Sequence, residues 1–120
     1  MQITHYCNSF NSFKVGNSTL VCDPWVGEAT QTAWVSYPVH ENGGKFLNNL
    51  NPDFVYISHL HCDHLDPKTL SGLKNKNIKI IIKKFKIPLL KKQIQQLGFT
   101  NICEYEPWKK YKLNKDISFA

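Results

Sequence analysis

Three histidines and an aspartate, all able to donate lone pairs to a metal, fall within six residues, His59-Leu60-His61-Cys62-Asp63-His64, directly after the apolar run Phe54-Val55-Tyr56-Ile57. A metal requires several donors converging on one point, and a compact run at a strand end leaves little chain entropy to lose in gathering them. Three imidazoles and a carboxylate so crowded would repel one another on protonation and waste polar groups if buried, which favours a metal site over a chance cluster. Such a centre makes hydroxide from water near neutral pH. Imidazole suits zinc, with iron or manganese as alternatives. A carboxylate suits a harder or more water-rich position, and Asp63 is the candidate catalytic residue, placed to orient or deprotonate a nucleophile.

The elements around this run must position it. If the strand stays extended past Ser58, residues 59, 61 and 63 share one face by the period of two, and His64 joins them only where the chain turns. Asp66-Pro67 supplies that turn as a helix N-cap and first helical residue, and predicts a helix from 67 to about 75 with its N-terminus near the histidines. The donors then sit on a loop between strand and helix, where open α/β sheets usually place their ligands. By the same alternation Cys62 points away from His61 and reads as a small buried thiol. His5 and His40, taken singly, read as ordinary histidines.

Upstream, residues 3–7, 9–15 and 19–23 read as a strand meander with Gly16-Asn17 as its second turn. Residues 26–51 form a long irregular stretch, and long loops are often functional. Downstream, residues 78–82 are a strand, 88–97 an amphipathic helix with Leu89, Leu90, Ile94 and Leu97 on its apolar face, and 101–105 a further strand. Strands alternating with helices from residue 54 onward indicate βαβ units. Residues 112–120 read as a turn entering a last strand. Asp23, at a strand end near the histidine loop, is positioned to accept a proton from a ligand imidazole and fix its tautomer; a plain strand-ending Asp-Pro turn is the alternative. Asn8 is a further candidate to face the site.

The run His59-x-His61-x-Asp63-His64 after an apolar strand, followed by Leu65-Asp66-Pro67, resembles the signature of the metallo-β-lactamase superfamily. Residues 12–25, ending in Asp23-Pro24-Trp25, are similar to the opening hairpin of one branch. That branch holds ascorbate-lactonase-like hydrolases, phospholipase D enzymes acting on N-acyl phosphatidylethanolamine, and the domain of CMP-sialic acid hydroxylase. The resemblance implies an α/β fold, the N-terminal half of an αβ/βα sandwich whose mixed sheet carries helices on one face. It implies that His59 and His61 bind a first metal and Asp63 and His64 a second, with a bridging water or hydroxide attacking an ester, lactone, amide or phosphoester of a small-molecule substrate. It also borders the active site with the loop after Asp-Pro-Trp, so that Trp34, Tyr37 and His40 become substrate-contact candidates. The alternatives are that Trp34 and Tyr37 pack the loop onto the sheet and that His40 is structural.

In that superfamily a second, similar half brings a third histidine, a bridging aspartate and a last histidine. No histidine follows His64 here, and Asp116 is the only aspartate after Asp66. Asp116 lies too early to match the bridging position. Residues 1–120 are therefore expected to form a single half-domain, and two readings of function stand beside each other. One is a metal-dependent hydrolase completed by a longer chain or by assembly; the other is a metal-binding or interaction module without turnover. A third, a part of a CMP-sialic acid hydroxylase-like oxygenase, meets the lack of any Rieske-type Cys/His pattern. A half-domain would bare one apolar sheet face, which predicts a homodimer.

The composition narrows the remaining classes. Hydrophobic residues make up 42% of the 120, enough for one modest core. No apolar run reaches the roughly 18 residues of a membrane span, and Met1-Gln2-Ile3 does not open a signal peptide, so a cytoplasmic location is expected. The four cysteines are scattered and read as reduced, buried thiols. The net charge of +6 comes entirely from lysine. Without an arginine fork for phosphates, nucleic-acid binding is disfavoured.

Overall fold

The computed structural model describes residues 1–29 and 34–120. The chain opens with β1 (Gln2–Cys7), β2 (Phe10–Val15) and β3 (Ser18–Cys22), paired antiparallel as the sequence predicts. The two-residue turn between β2 and β3 places Gly16 at φ +58°, the left-handed region that primed hairpin turns require. Next come the short antiparallel pair β4 (Glu28–Ala29) and β5 (Trp34–Val35), then α1 (Gly43–Leu50). The strand β6 (Phe54–Ile57) precedes α2 (Pro67–Ser71), and β7 (Lys79–Lys83) precedes α3 (Leu89–Gln96). The chain finishes with β8 (Ile102–Tyr105) and the hairpin of β9 (Tyr111–Lys112) with β10 (Ser118–Phe119).

Six strands form one mixed sheet in the order β1-β2-β3-β6-β7-β8. The pairs β3·β6, β6·β7 and β7·β8 are parallel, so the C-terminal ends of these four strands share one edge. Alternation sorts the side chains. Val55, Ile57, Ile80 and Ile82 face the helices and pack with Leu47 of α1, Leu70 of α2, and Leu90 and Ile94 of α3. Phe54 and Ile81 face the other way. This is the α/β architecture expected, a mixed sheet with helices on one face.

The structure corrects several finer expectations. The second sheet face is not bare: the β9–β10 hairpin brings Ile117, Leu113 and Phe119 onto Phe54 and Ile81. The stretch 26–51 is not irregular throughout, because α1 occupies its end. The Asn-Gly-Gly start hides this helix. Asn42 nonetheless caps it, its Oδ1 accepting the Lys45 N–H at 3.0 Å.

The glycines of α1 have a tertiary reason. A Cβ on Gly44 would stand 2.9 Å from the Gly72 Cα, and one on Gly72 only 2.2 Å from the Gly44 Cα. The two backbones touch there. The same contact explains why α2 stops at Ser71 rather than near 75: Gly72 meets α1, and the following turn buries Leu73.

Gly72→Ala therefore forces α1 away from α2 and is expected to destabilise the fold by about 1–3 kcal/mol, the usual cost of overpacking. Urea denaturation monitored by circular dichroism measures this, and an unchanged midpoint would contradict the close approach.

Candidate metal centre

The site begins where β3 and β6 end side by side. Cys22 pairs with Tyr56, and the Asp23 N–H donates to the Tyr56 carbonyl at 2.9 Å, which carries the ladder one residue past β3. Asp23 then turns at φ +45°, a conformation aspartate tolerates better than most residues. Its buried carboxylate faces the first residue after β6. Asp23 Oδ1 accepts the Ser58 N–H at 2.7 Å, and Oδ2 accepts the Ser58 hydroxyl at 2.7 Å. The Nδ1 of His64 lies 2.9 Å from the same Oδ2.

These bonds fix the imidazole tautomers. Since the Ser58 hydroxyl donates its single proton to Asp23, its oxygen can only accept from His59 Nδ1 at 2.8 Å. His64 Nδ1 must likewise donate to the carboxylate. The Nε2 lone pairs of His59 and His64 are thereby left for another partner.

The freed atoms fall into two pairs. His59 Nε2 lies 3.0 Å from His61 Nδ1, and His64 Nε2 lies 3.6 Å from Asp63 Oδ2. At zinc–ligand distances of about 2.0–2.2 Å, two donor atoms on one tetrahedral ion stand about 3.3–3.6 Å apart, so small adjustments would let each pair share an ion. Among the described residues, no three His, Cys, Asp or Glu side chains converge closely enough to hold an ion. The donor types suit a metal, while the side chains as placed converge only in pairs.

Burial, then the neighbouring charges of His64 and His61, lower the pKa of His59, which favours the neutral ring that a ligand must present. Burial and then the Asp23 charge push Cys22 up to about 12, so this thiol stays protonated and is no nucleophile.

The expected strand extension past Ser58 does not occur. The chain leaves the ladder at Ile57 and tightens from His61, whose carbonyl accepts the His64 and Leu65 N–H groups at 3.0 and 2.8 Å. Period-two alternation therefore fails across residues 59–63, and Cys62 is exposed rather than buried. Asp66 caps α2 as predicted, accepting from the Lys68 and Thr69 N–H groups.

The β1–β2 turn supports the loop from the other side. The Ser9 hydroxyl donates to the Asp63 carbonyl at 2.6 Å, while Asn8 Oδ1 accepts the Tyr37 N–H at 2.8 Å. Adjacent residues thus hold the donor loop and the loop carrying Trp34 and Tyr37. Trp34 is 57% and Tyr37 79% exposed, so neither packs its loop onto the sheet. His40 stacks near Phe46, with ring centroids 4.7 Å apart, and lines a cavity with Asn42 and Asp66 rather than the one at His59 and His61. Asp116 lies at the opposite end of β3, beside Gly16 and Ser18. Ser58 was not singled out from the sequence; its only local signal is its place between an apolar strand and a histidine.

Residues 2–119 match the family model described as a beta-lactamase superfamily domain. The chain belongs to that superfamily. A Mycobacterium tuberculosis protein named as a Rieske 2Fe-2S iron-sulfur protein is 32% identical over 114 residues, 94% of this chain and 22% of its own length. Cytidine monophosphate-N-acetylneuraminic acid hydroxylase of Asterias rubens is 32% identical over 99% of this chain and 19% of its own. The chain thus spans about a fifth of the length of these curated relatives.

Two solved structures share the fold. A Veillonella parvula protein described as a possible metal-dependent hydrolase superposes with a TM-score of 0.64 at 19% identity, covering 94% of this chain and 45% of its own. Isothiocyanate hydrolase from Delia radicum gut bacteria gives 0.61 at 25% identity, covering 86% and 40%.

The lowered His59 pKa carries a sign. The unfolded chain binds more protons near and below the ordinary histidine value of about 6.5, so the metal-free protein should lose stability as pH falls through that value towards the folded one. Melting temperatures followed from about pH 7.5 to 5.5 should fall, and His59→Asn should flatten that slope. Equal slopes in both proteins would show that His59 does not carry the effect.

Proposed function

We propose that this chain provides the metal-binding half of a metal-dependent hydrolase acting on an ester, lactone, amide or phosphoester of a small molecule. His59, His61, Asp63 and His64 are the metal donors, and zinc is the metal that best suits three imidazoles, with iron or manganese as alternatives. When bound, the ion acts as a Lewis acid and lowers the pKa of a coordinated water towards about 7.

The observation that carries this reading is the tautomer network. Ser58 and Asp23 occupy Nδ1 of His59 and His64, which leaves both Nε2 atoms as lone-pair donors beside His61 and Asp63. Asp23 is the positioning residue, since its carboxylate orients His64 and raises the basicity of that ring. Asp63 places a half-exposed carboxylate next to His64 Nε2, where it can hold or accept a proton from the attacking nucleophile. Trp34 and Tyr37, exposed on a loop tied to the donor loop through Asn8 and Ser9, are the substrate-contact candidates; His40 is farther from that role.

A second reading rests on the relatives named as a Rieske iron-sulfur protein and as a hydroxylase. In it, residues 1–120 are a metal-binding or interaction module of a longer oxygenase-type protein, with the redox centre outside them. We place the unit in the cytoplasm as a single half-domain. We also propose that it dimerises through the second sheet face, where a groove of about 280 Å³ remains between Phe13, Leu20, Tyr56 and Phe119.

Elemental analysis and zinc titration test the proposal. One to two zinc ions per chain are expected, with Asp23→Asn weakening uptake roughly 10- to 100-fold, as loss of an orienting carboxylate does elsewhere. Absence of zinc after purification without chelators would sink the metal reading. Activity towards small esters with intact uptake would favour the hydrolase over the module. Light scattering should give a dimer, and a stable monomer at micromolar concentration would defeat the assembly proposal.

A further inference from the structure

Beside the donor loop lies a groove of about 270 Å³. His59 and His61 line one side of it. The rest is formed by Leu60, by Phe85 and Ile87 from the segment that joins β7 to α3, and by Leu89 and Leu90 from the start of α3. The topology requires this neighbourhood: β6 and β7 are parallel, with Ile57 paired to Ile82, so the chain leaves both strands at the same edge.

The segment is unusual in what it shows to solvent. Phe85 is 37%, Ile87 66% and Leu89 53% exposed, three large apolar side chains within five residues. Leu89 was expected on the buried face of its helix, but that face is made by Leu90 and Ile94, one turn apart, and Leu89 turns towards the groove instead.

Resting on the metal-centre reading above, we propose that this groove receives an apolar acyl or aryl group of the substrate, and so orients the adjoining scissile bond towards His59 and His61. Among the described residues, the two imidazoles are the only polar side chains lining it. A sugar or nucleotide there would lose hydrogen bonds to water without regaining them, whereas a hydrocarbon gains from leaving water. The volume suits a small organic group and lies near the lower end of ligand sites, which are mostly apolar with a few placed polar groups.

The test uses straight-chain hydroxamates, whose head binds zinc and whose tail must lie beside it. Acetohydroxamate, butanohydroxamate, hexanohydroxamate and octanohydroxamate are titrated calorimetrically into the zinc-loaded chain, into Ile87→Ser and into Ile87→Ser/Leu89→Ser. Affinity should rise about threefold to fourfold per added methylene in the unsubstituted chain. The double variant should lose most of that increment while still taking up zinc. Zinc uptake with a flat series overturns the substrate assignment and leaves the metal centre standing. A flat series in which Ile87→Ser also turns a dimer into a monomer assigns the groove to a second copy and overturns it equally. A chain that takes up no zinc overturns the metal-centre reading, and this assignment with it.

Discussion

The Asp23 carboxylate is the constraint on which the site depends. A buried carboxylate is costly unless it is hydrogen-bonded, and this one receives the Ser58 N–H, the Ser58 hydroxyl and the His64 ring. Hydrogen bonds to a charged group contribute about 1.5–3 kcal/mol each, enough together to hold aspartate in a left-handed backbone conformation. In return, the carboxylate ends β6 as a ladder strand and starts the donor loop. A slip of one residue between β3 and β6 would remove all three bonds and turn the core-facing side chains outward.

The sheet order does the remaining placing. Parallel pairing from β3 to β8 collects the strand-ending loops on one edge, so the donor loop and the Phe85 segment become neighbours without any direct sequence relation. The helices then fix the far side of the donor loop. Asp66 begins α2 where the loop ends, and the backbone contact of Gly44 with Gly72 brings α1 against it. The Thr69 hydroxyl, donating to the Asp66 carboxylate and accepting the Val26 N–H, ties the same helix to the chain just beyond Asp-Pro-Trp.

Features with local causes were legible in the sequence. The meander follows from alternation and the Gly16-Asn17 turn, the start of α2 from Asp66-Pro67, and the donor cluster from residue types alone. What escaped had long-range causes. The strand was expected to continue past Ser58 because nothing nearby stops it; Asp23, distant in sequence, does. Cys62 was placed by an alternation that this turn abolishes. α1 was hidden because Asn42-Gly43-Gly44 reads as a turn, and the need for glycine appears only once Gly72 lies against it. The turn and last strand in residues 112–120 were legible, but that β9 and β10 fold back as a hairpin onto Phe54 and Ile81 has no local signal.

The β1–β2 turn has a mechanical consequence. Asn8 and Ser9 are consecutive, yet one grips the backbone at Tyr37 and the other the backbone at Asp63. A rigid peptide unit thus serves as a yoke between the two loops. Any displacement of the aromatic loop pulls on the carbonyl of a metal-donor residue through a linkage one residue long. An insertion between Asn8 and Ser9 would leave every donor in the sequence and uncouple the loop from the centre it borders.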